Sequence, residues 1–146
     1  NIDKYVGLSY FEFIKFMSMK NEIKLIDIGT RLIAAGIFAY SAFMKFTSAE
    51  ASIYTFQLIG MEPAGRYGVA ILECIAIALF LVQNTAWRGA ILGSLMMFGA
   101  ICMHLTIGEV NILNDGGLMF ASAIVVLFCC ISILVFHKTD LEAELN

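Results

Sequence analysis

Four apolar runs constrain this chain more than any other feature in it. Residues 28–46, 68–82, 89–108 and 117–136 are almost uninterrupted by charge, and three of them reach the roughly 20 residues that a helix needs to cross a bilayer. The second run is short. It reaches about 18 residues, near the lower limit for a span, only when Gly65, Arg66 and Tyr67 extend it. Composition agrees, since 60% of the 146 residues are hydrophobic and 14% charged, whereas a soluble domain is about half apolar and about a quarter charged. The chain therefore reads as all-α, with spans at about 28–47, 65–83, 88–108 and 117–136. Four spans joined by short loops predict an integral membrane antiparallel four-helix bundle over residues 28–138.

The flanking segments read differently. Within residues 1–27, Tyr10, Phe13, Ile14 and Met17 recur at i, i+3, i+4 and i+7, an apolar helical stripe. Lys15, Lys20 and Lys24 suit an interfacial amphipathic helix on an anionic leaflet, and the thin polar face suits docking on a partner subunit equally well. Between the first two spans, Thr47 and Glu50 have capping-box spacing. They predict a short surface helix with Ile53, Phe56 and Leu58 on its apolar side, ended by Gly60 and followed by a turn at Pro63. Asp115 is placed to cap the fourth span, and residues 139–146 form a tail.

Charge sets the orientation and excludes some functions. Lys4, Lys15, Lys20, Lys24, Arg31, Arg88 and Lys138 fall on the side of the termini and the middle loop, against Lys45 and Arg66 on the other. Positive residues favour the cytoplasm, so both termini are expected on the cytoplasmic side of a multi-pass membrane protein. Trp87 beside Arg88 and Tyr67 beside Arg66 suit interfacial anchors. Nine Lys and Arg against twelve Asp and Glu leave no basic field for nucleic acid. A cleavable leader is not expected, because the first long apolar run starts only at Ile28. Cys74, Cys102, Cys129 and Cys130 all fall within expected spans without a CxxC pair, and read as small hydrophobes rather than metal ligands or disulfides.

The informative residues are the ionisable ones inside the spans. Glu73 lies about 12 Å below the outer surface, and Lys45 and His104 about 5–6 Å below it, at 1.5 Å per residue. On the first span Arg31, Ala34, Phe38, Ser41, Ala42 and Lys45 share one face. Arg66, Ala70, Glu73 and Ala76 do so on the second, and Gly93, Met97, Ala100, His104 and Gly108 on the third. Small residues mark close helix packing in membranes, and Gly89 to Gly93 adds a GxxxG spacing, so these faces are expected inward. A charge at the centre of a span costs about 2.5–3.5 kcal/mol. Glu73 is therefore expected to be compensated by Lys45, with His104 and Arg66 also within reach. That cluster either pins the helices together or exchanges protons with a ligand. Arg31 and Arg88 read as interfacial anchors, His137 as interfacial, Ser122 as a packing hydroxyl.

The stretches RLIAAGIFAYSAFMKF, GRYGVAILECIAIALFLV and GAICMHL, in that order, resemble the DoxX family of small four-helix bacterial membrane proteins. The family pattern has an early arginine in the first helix, a Ser-Gly-x-x-Lys-like element near its end, a glutamate inside the second helix and a histidine late in the third. These positions are Arg31, Ser41 to Lys45, Glu73 and His104 here, with Ala42 where glycine is common. The likeness covers about residues 29 to 136. It implies a membrane subunit of the kind found in thiosulfate:quinone oxidoreductase or in thiol-redox complexes.

Two functions are expected from these features. In one, the chain is a quinone-binding subunit of a larger redox assembly, in which Glu73 and His104 exchange protons with a quinone oxygen while Lys45 holds the charge. Lys45, Glu73, His104 and Arg66 are then the ligand-binding set. No intrinsic cofactor, metal or self-contained catalytic centre is expected, because two histidines at different depths do not make a bis-histidine haem site and no cysteine spacing suits an iron–sulfur cluster. In the other, it is a non-catalytic accessory or assembly subunit whose polar cluster is structural. Membrane lipids and a larger membrane complex or homo-oligomer are the expected partners in both.

Overall fold

The computed structural model describes residues 2–138 and residue 141, with side chains described from Asn21 onward. The chain is helical, and no strand occurs among the described residues. Helix α1 spans Ile2–Phe46, α2 Glu50–Leu58, α3 Ala64–Leu81, α4 Ala86–Ile107 and α5 Leu118–Phe136, with single 3₁₀ turns at Gln83–Thr85 and Ile112–Asn114. Four stretches are long and apolar enough to cross a membrane: Asn21–Phe46, Ala64–Leu81, Gln83–Ile107 and Leu118–Phe136.

Each long helix packs against two others, α1 on α3 and α5, and α4 on α3 and α5. The faces turned together are lined by small side chains. Ala34, Ala70, Ala76, Ala86 and Ala90 are fully buried, around the larger Phe38, Phe80, Met97 and Ile133. The big aliphatic and aromatic residues point outward instead, among them Tyr40, Phe43, Leu95, Phe98, Leu105 and Phe128. This inverts the soluble pattern, in which the largest apolar side chains are the ones removed from water. The three inward faces expected from helical phase hold, apart from Gly108, which is exposed at the end of α4.

Two local expectations fail. No break separates residues 1–27 from the first span, because α1 is one continuous 45-residue helix. Nothing in NEIKLID stops a helix, and the charge at Asp27 is absorbed by partners described below. The amphipathic stripe at Tyr10 to Met17 lies outside the described side chains, as does most of the 139–146 tail. The Thr47–Glu50 capping box does not form either. Ser48 turns the chain at φ 56°, Ala49 occupies the N-cap position without a side-chain bond, and the Thr47 hydroxyl instead donates back to the Phe43 carbonyl at 2.8 Å. Helix α2 buries Ser52, Thr55 and Phe56, and Leu58 faces out.

The remaining helix ends are closed locally, with Asp115 capping the last span as expected. Gly108 ends α4 in the left-handed region at φ 74°, its N–H donating to the His104 carbonyl. Asp115 accepts from the N–H groups of Gly117 and Met119 at 2.8 and 2.9 Å, satisfying two of the donors a helix start leaves free. Thr85 closes the tight turn by donating to the Leu79 carbonyl at 3.1 Å.

The glycines of the GxxxG spacing let backbones approach. A Cβ on Gly89 would lie 2.9 Å from the Leu79 Cβ and 3.2 Å from the Ala76 carbonyl oxygen, so α3 and α4 touch through it. Gly36, by contrast, has nothing within 4 Å of that position. Gly89→Ala is therefore expected to lower stability by about 1–3 kcal/mol through overpacking, while Gly36→Ala raises it by up to about 1 kcal/mol. Equilibrium unfolding of the purified variants in detergent micelles checks the contrast.

Candidate functional site

The last turn of α1 and the middle of α3 bring Lys45 and Glu73 together. The Lys45 ammonium lies 2.8 Å from Glu73 Oε1, and the Ser41 hydroxyl, one turn earlier on α1, donates to the same oxygen at 2.7 Å. Lys45 also donates to Ser41 Oγ at 2.5 Å. The three groups thus close a triangle in which each member touches the other two. Glu73 is 1% exposed, in a low-dielectric setting where a single ionised carboxylate costs several kcal/mol. The ammonium and the hydroxyl offset that cost at Oε1 alone. Oε2 is buried and has no hydrogen-bond partner in the protein.

Arg66 and His104 take other partners. The Arg66 Nε donates to both oxygens of Glu62 at 3.0 Å, and one terminal nitrogen lies 2.8 Å from Glu62 Oε1. The other terminal nitrogen donates to the Lys45 carbonyl, and the guanidinium lies 4.2 Å from the Tyr67 ring centroid. Arg66 therefore neutralises Glu62 rather than Glu73. It reaches the cluster by holding the Lys45 main chain in place. The His104 ring is buried, edge-on to Phe120, with Nδ1 2.9 Å from the Glu109 carbonyl oxygen. A carbonyl only accepts, so Nδ1 carries the proton. His104 makes no hydrogen bond or ion pair with Lys45, Glu73 or Arg66 and instead fastens the turn after α4.

Glu109, which sequence reasoning passed over, joins that turn to α2. Its carboxylate accepts from the Tyr54 hydroxyl at 3.2 and 3.3 Å. That bond, followed by burial and the negative charge of Glu109, pushes the Tyr54 phenol above its ordinary value. Glu62 was passed over as well. Its i, i+4 spacing to Arg66 is visible in the sequence, but Pro63 between them suggests a turn rather than a bonded pair.

A second polar group lies further toward the start of α1. Arg31 is buried against its neighbours rather than free at the surface: it lies 3.2 Å from Asp27 Oδ2 and donates to the Phe80 carbonyl near the end of α3 at 3.3 Å. Asp27 in turn faces His137 Nε2 at 3.3 Å, from the end of α5. Asp27, Arg31 and His137 are each at least nine-tenths buried. The i, i+4 spacing of Asp27 and Arg31 is readable in the sequence, but the His137 contact spans 110 residues and is not. Arg88 lies 5.0 Å from the Trp87 ring centroid, as an anchoring pair would.

Comparison with protein-family models, with curated proteins and with solved structures finds no match for this chain. Chemically, the arrangement offers one buried carboxylate with an occupied and an unoccupied oxygen, fixed by a hydroxyl and an ammonium.

Lys45→Met is expected to destabilise the protein by about 3–5 kcal/mol, because it strands the Glu73 charge. Adding Glu73→Gln should recover most of that loss. A double-mutant cycle on unfolding free energies measures the coupling, and an additive result would mean that the pair contributes nothing.

Proposed function

We propose that the chain is an antiparallel four-helix membrane subunit of a redox-linked assembly, and that Glu73 serves a quinone head group. In this reading the four apolar helices cross the bacterial inner membrane with both termini in the cytoplasm. The DoxX-like order of Arg31, Ser41 to Lys45, Glu73 and His104 supports the assignment. The outward display of large apolar side chains supports the bilayer as solvent.

The observation that carries the proposal is the asymmetry of the Glu73 carboxylate. Oε1 takes both Ser41 and Lys45, and Oε2 takes no protein donor. A hydroxyl of a reduced quinone is a donor that Oε2 accepts, and a carboxylate so placed takes the proton as the quinol is oxidised. The second quinol proton leaves to bulk water, and the two electrons pass to a redox group of a partner subunit. Lys45 compensates the carboxylate again once Glu73 passes its proton on, and Arg66 keeps Lys45 in position by donating to the Lys45 carbonyl. His104 organises the turn above.

Binding of a short-chain quinol to the purified protein tests this. Glu73→Gln should weaken binding at least tenfold, about 1.4 kcal/mol. Equal binding to both proteins, or none to either, would remove the proposal.

A second reading is favoured by one different observation. Helix α1 has 45 residues, about 67 Å at 1.5 Å per residue, more than twice what a bilayer core requires. The excess suits an arm that docks on a partner, which makes the chain an accessory or assembly subunit. Removing residues 1–20 should then abolish co-purification with the complex while the four apolar helices still insert. Retention of the partners would count against the arm.

A further inference from the structure

The polar group around Arg31 borders a groove of about 230 Å³ between α1 and α3, lined by Ile28, Arg31, Leu32, Phe80 and Leu81. Four of these five residues are apolar. Leu32 and Leu81 are 57% and 62% exposed, so the groove opens on the apolar outer surface of the helices.

Arg31 is the charged member of that lining and is only 9% exposed. A guanidinium carries five N–H donors. One terminal nitrogen donates to the Phe80 carbonyl and the other faces Asp27, while Nε is buried without a partner. Taking these two contacts from the five donors leaves three N–H groups with no protein acceptor. Asp27 also divides its charge between Arg31 and His137. Lys24 is exposed and lies one turn before Ile28, on the same side of α1 by the i, i+4, i+7 relation to Ile28 and Arg31.

We infer that this groove seats the head group of an anionic phospholipid, with the phosphate on Arg31 and Lys24 and the acyl chains along Leu32 and Leu81. The volume admits about eight groups the size of a water molecule. That is less than the 300 Å³ or more typical of a site for a whole small molecule, so a head group enters and the chains stay outside. The planar guanidinium fork matches two phosphate oxygens. Basic pockets between spanning helices on the cytoplasmic side are suited to acidic head groups. The inference rests on the bilayer reading above and is independent of Glu73.

The full-length chain, purified in a neutral detergent, is offered phosphatidylglycerol, phosphatidylcholine, a short-chain quinone or inorganic phosphate. Native mass spectrometry and thermal unfolding are the readouts. Phosphatidylglycerol should be retained and should raise the unfolding midpoint, with phosphatidylcholine at least tenfold weaker. Ile28→Trp fills the groove while leaving Arg31 and its partners in place, and should lower phosphatidylglycerol binding at least tenfold without altering helix content. Leu81→Trp repeats the block from α3, and Leu95→Trp, on an exposed face of α4, should change nothing.

Equal retention of the two lipids, or undiminished binding in both groove variants, would overturn the inference. So would preferential retention of the quinone or of free phosphate, which would make the ligand something other than a lipid. Alkaline extraction of cell membranes separates the two failures. A chain released into the aqueous phase removes the bilayer reading, and a chain that stays but binds both lipids equally removes the groove alone.

Discussion

A carboxylate held at 1% exposure between two apolar helices needs a cation, and the cation has to come from another element. That requirement ties Glu73 of α3 to Lys45 of α1, and with it fixes the rotation of both helices. Ser41 must precede Lys45 by one turn to complete the hydrogen bonding, and Ala42 and Phe38 are then directed into the same interface. Arg66 adds a second tie between the helices by capturing the carbonyl that ends α1. Buried ion pairs often add little net stability, and a role in selecting one arrangement over others is attested in some systems. Here the surrounding faces are lined mainly by alanine and glycine, which would permit several rotations. The polar contacts discriminate among them.

The same helix organises the other end. Asp27 and Arg31 lie on the inward face of α1 that also carries Lys45, and they reach the last turn of α3 and the end of α5. Helix α1 thus contributes to both ionic groups, while α4 contributes to neither and packs through Gly89, Gly93 and alanines. This division suits the two kinds of contact. Small residues give close approach without direction, and ionic groups give direction without much area.

The long elements and their inward faces were legible in the sequence because both depend on local periodicity. Ala70, Glu73 and Ala76 fall on one stripe whatever α3 packs against, and a carboxylate there demands a basic partner. Lys45 followed from depth alone. His104 and Arg66 did not, because depth says nothing about competition. Arg66 found Glu62 four residues away, at lower entropic cost than crossing to Glu73, and His104 found a carbonyl five residues on. The continuation of α1 through residue 28 was not legible for a related reason. Charge at Asp27 and Arg31 suggested an interface, and only the tertiary contact with His137 shows that both are buried. Thr47 failed as a cap because Ser48 and Ala49 carry the turn, a backbone choice with no side-chain signature.

Between the two ionic groups no ion pair occurs among the described residues. The Phe38 and Phe80 rings stack there at 6.0 Å between centroids, flanked by Ala34 and Ala76. Arg31 and Lys45 are 14 positions apart on one helix, about 21 Å. At that separation a unit charge at one end shifts the energy of the other by less than about 1 kcal/mol, and no chain of hydrogen-bonding side chains bridges the gap. The aromatic layer acts as an insulator. Each ionic group is therefore held by its own partners, and neutralising one charge leaves those of the other group nearly as they were.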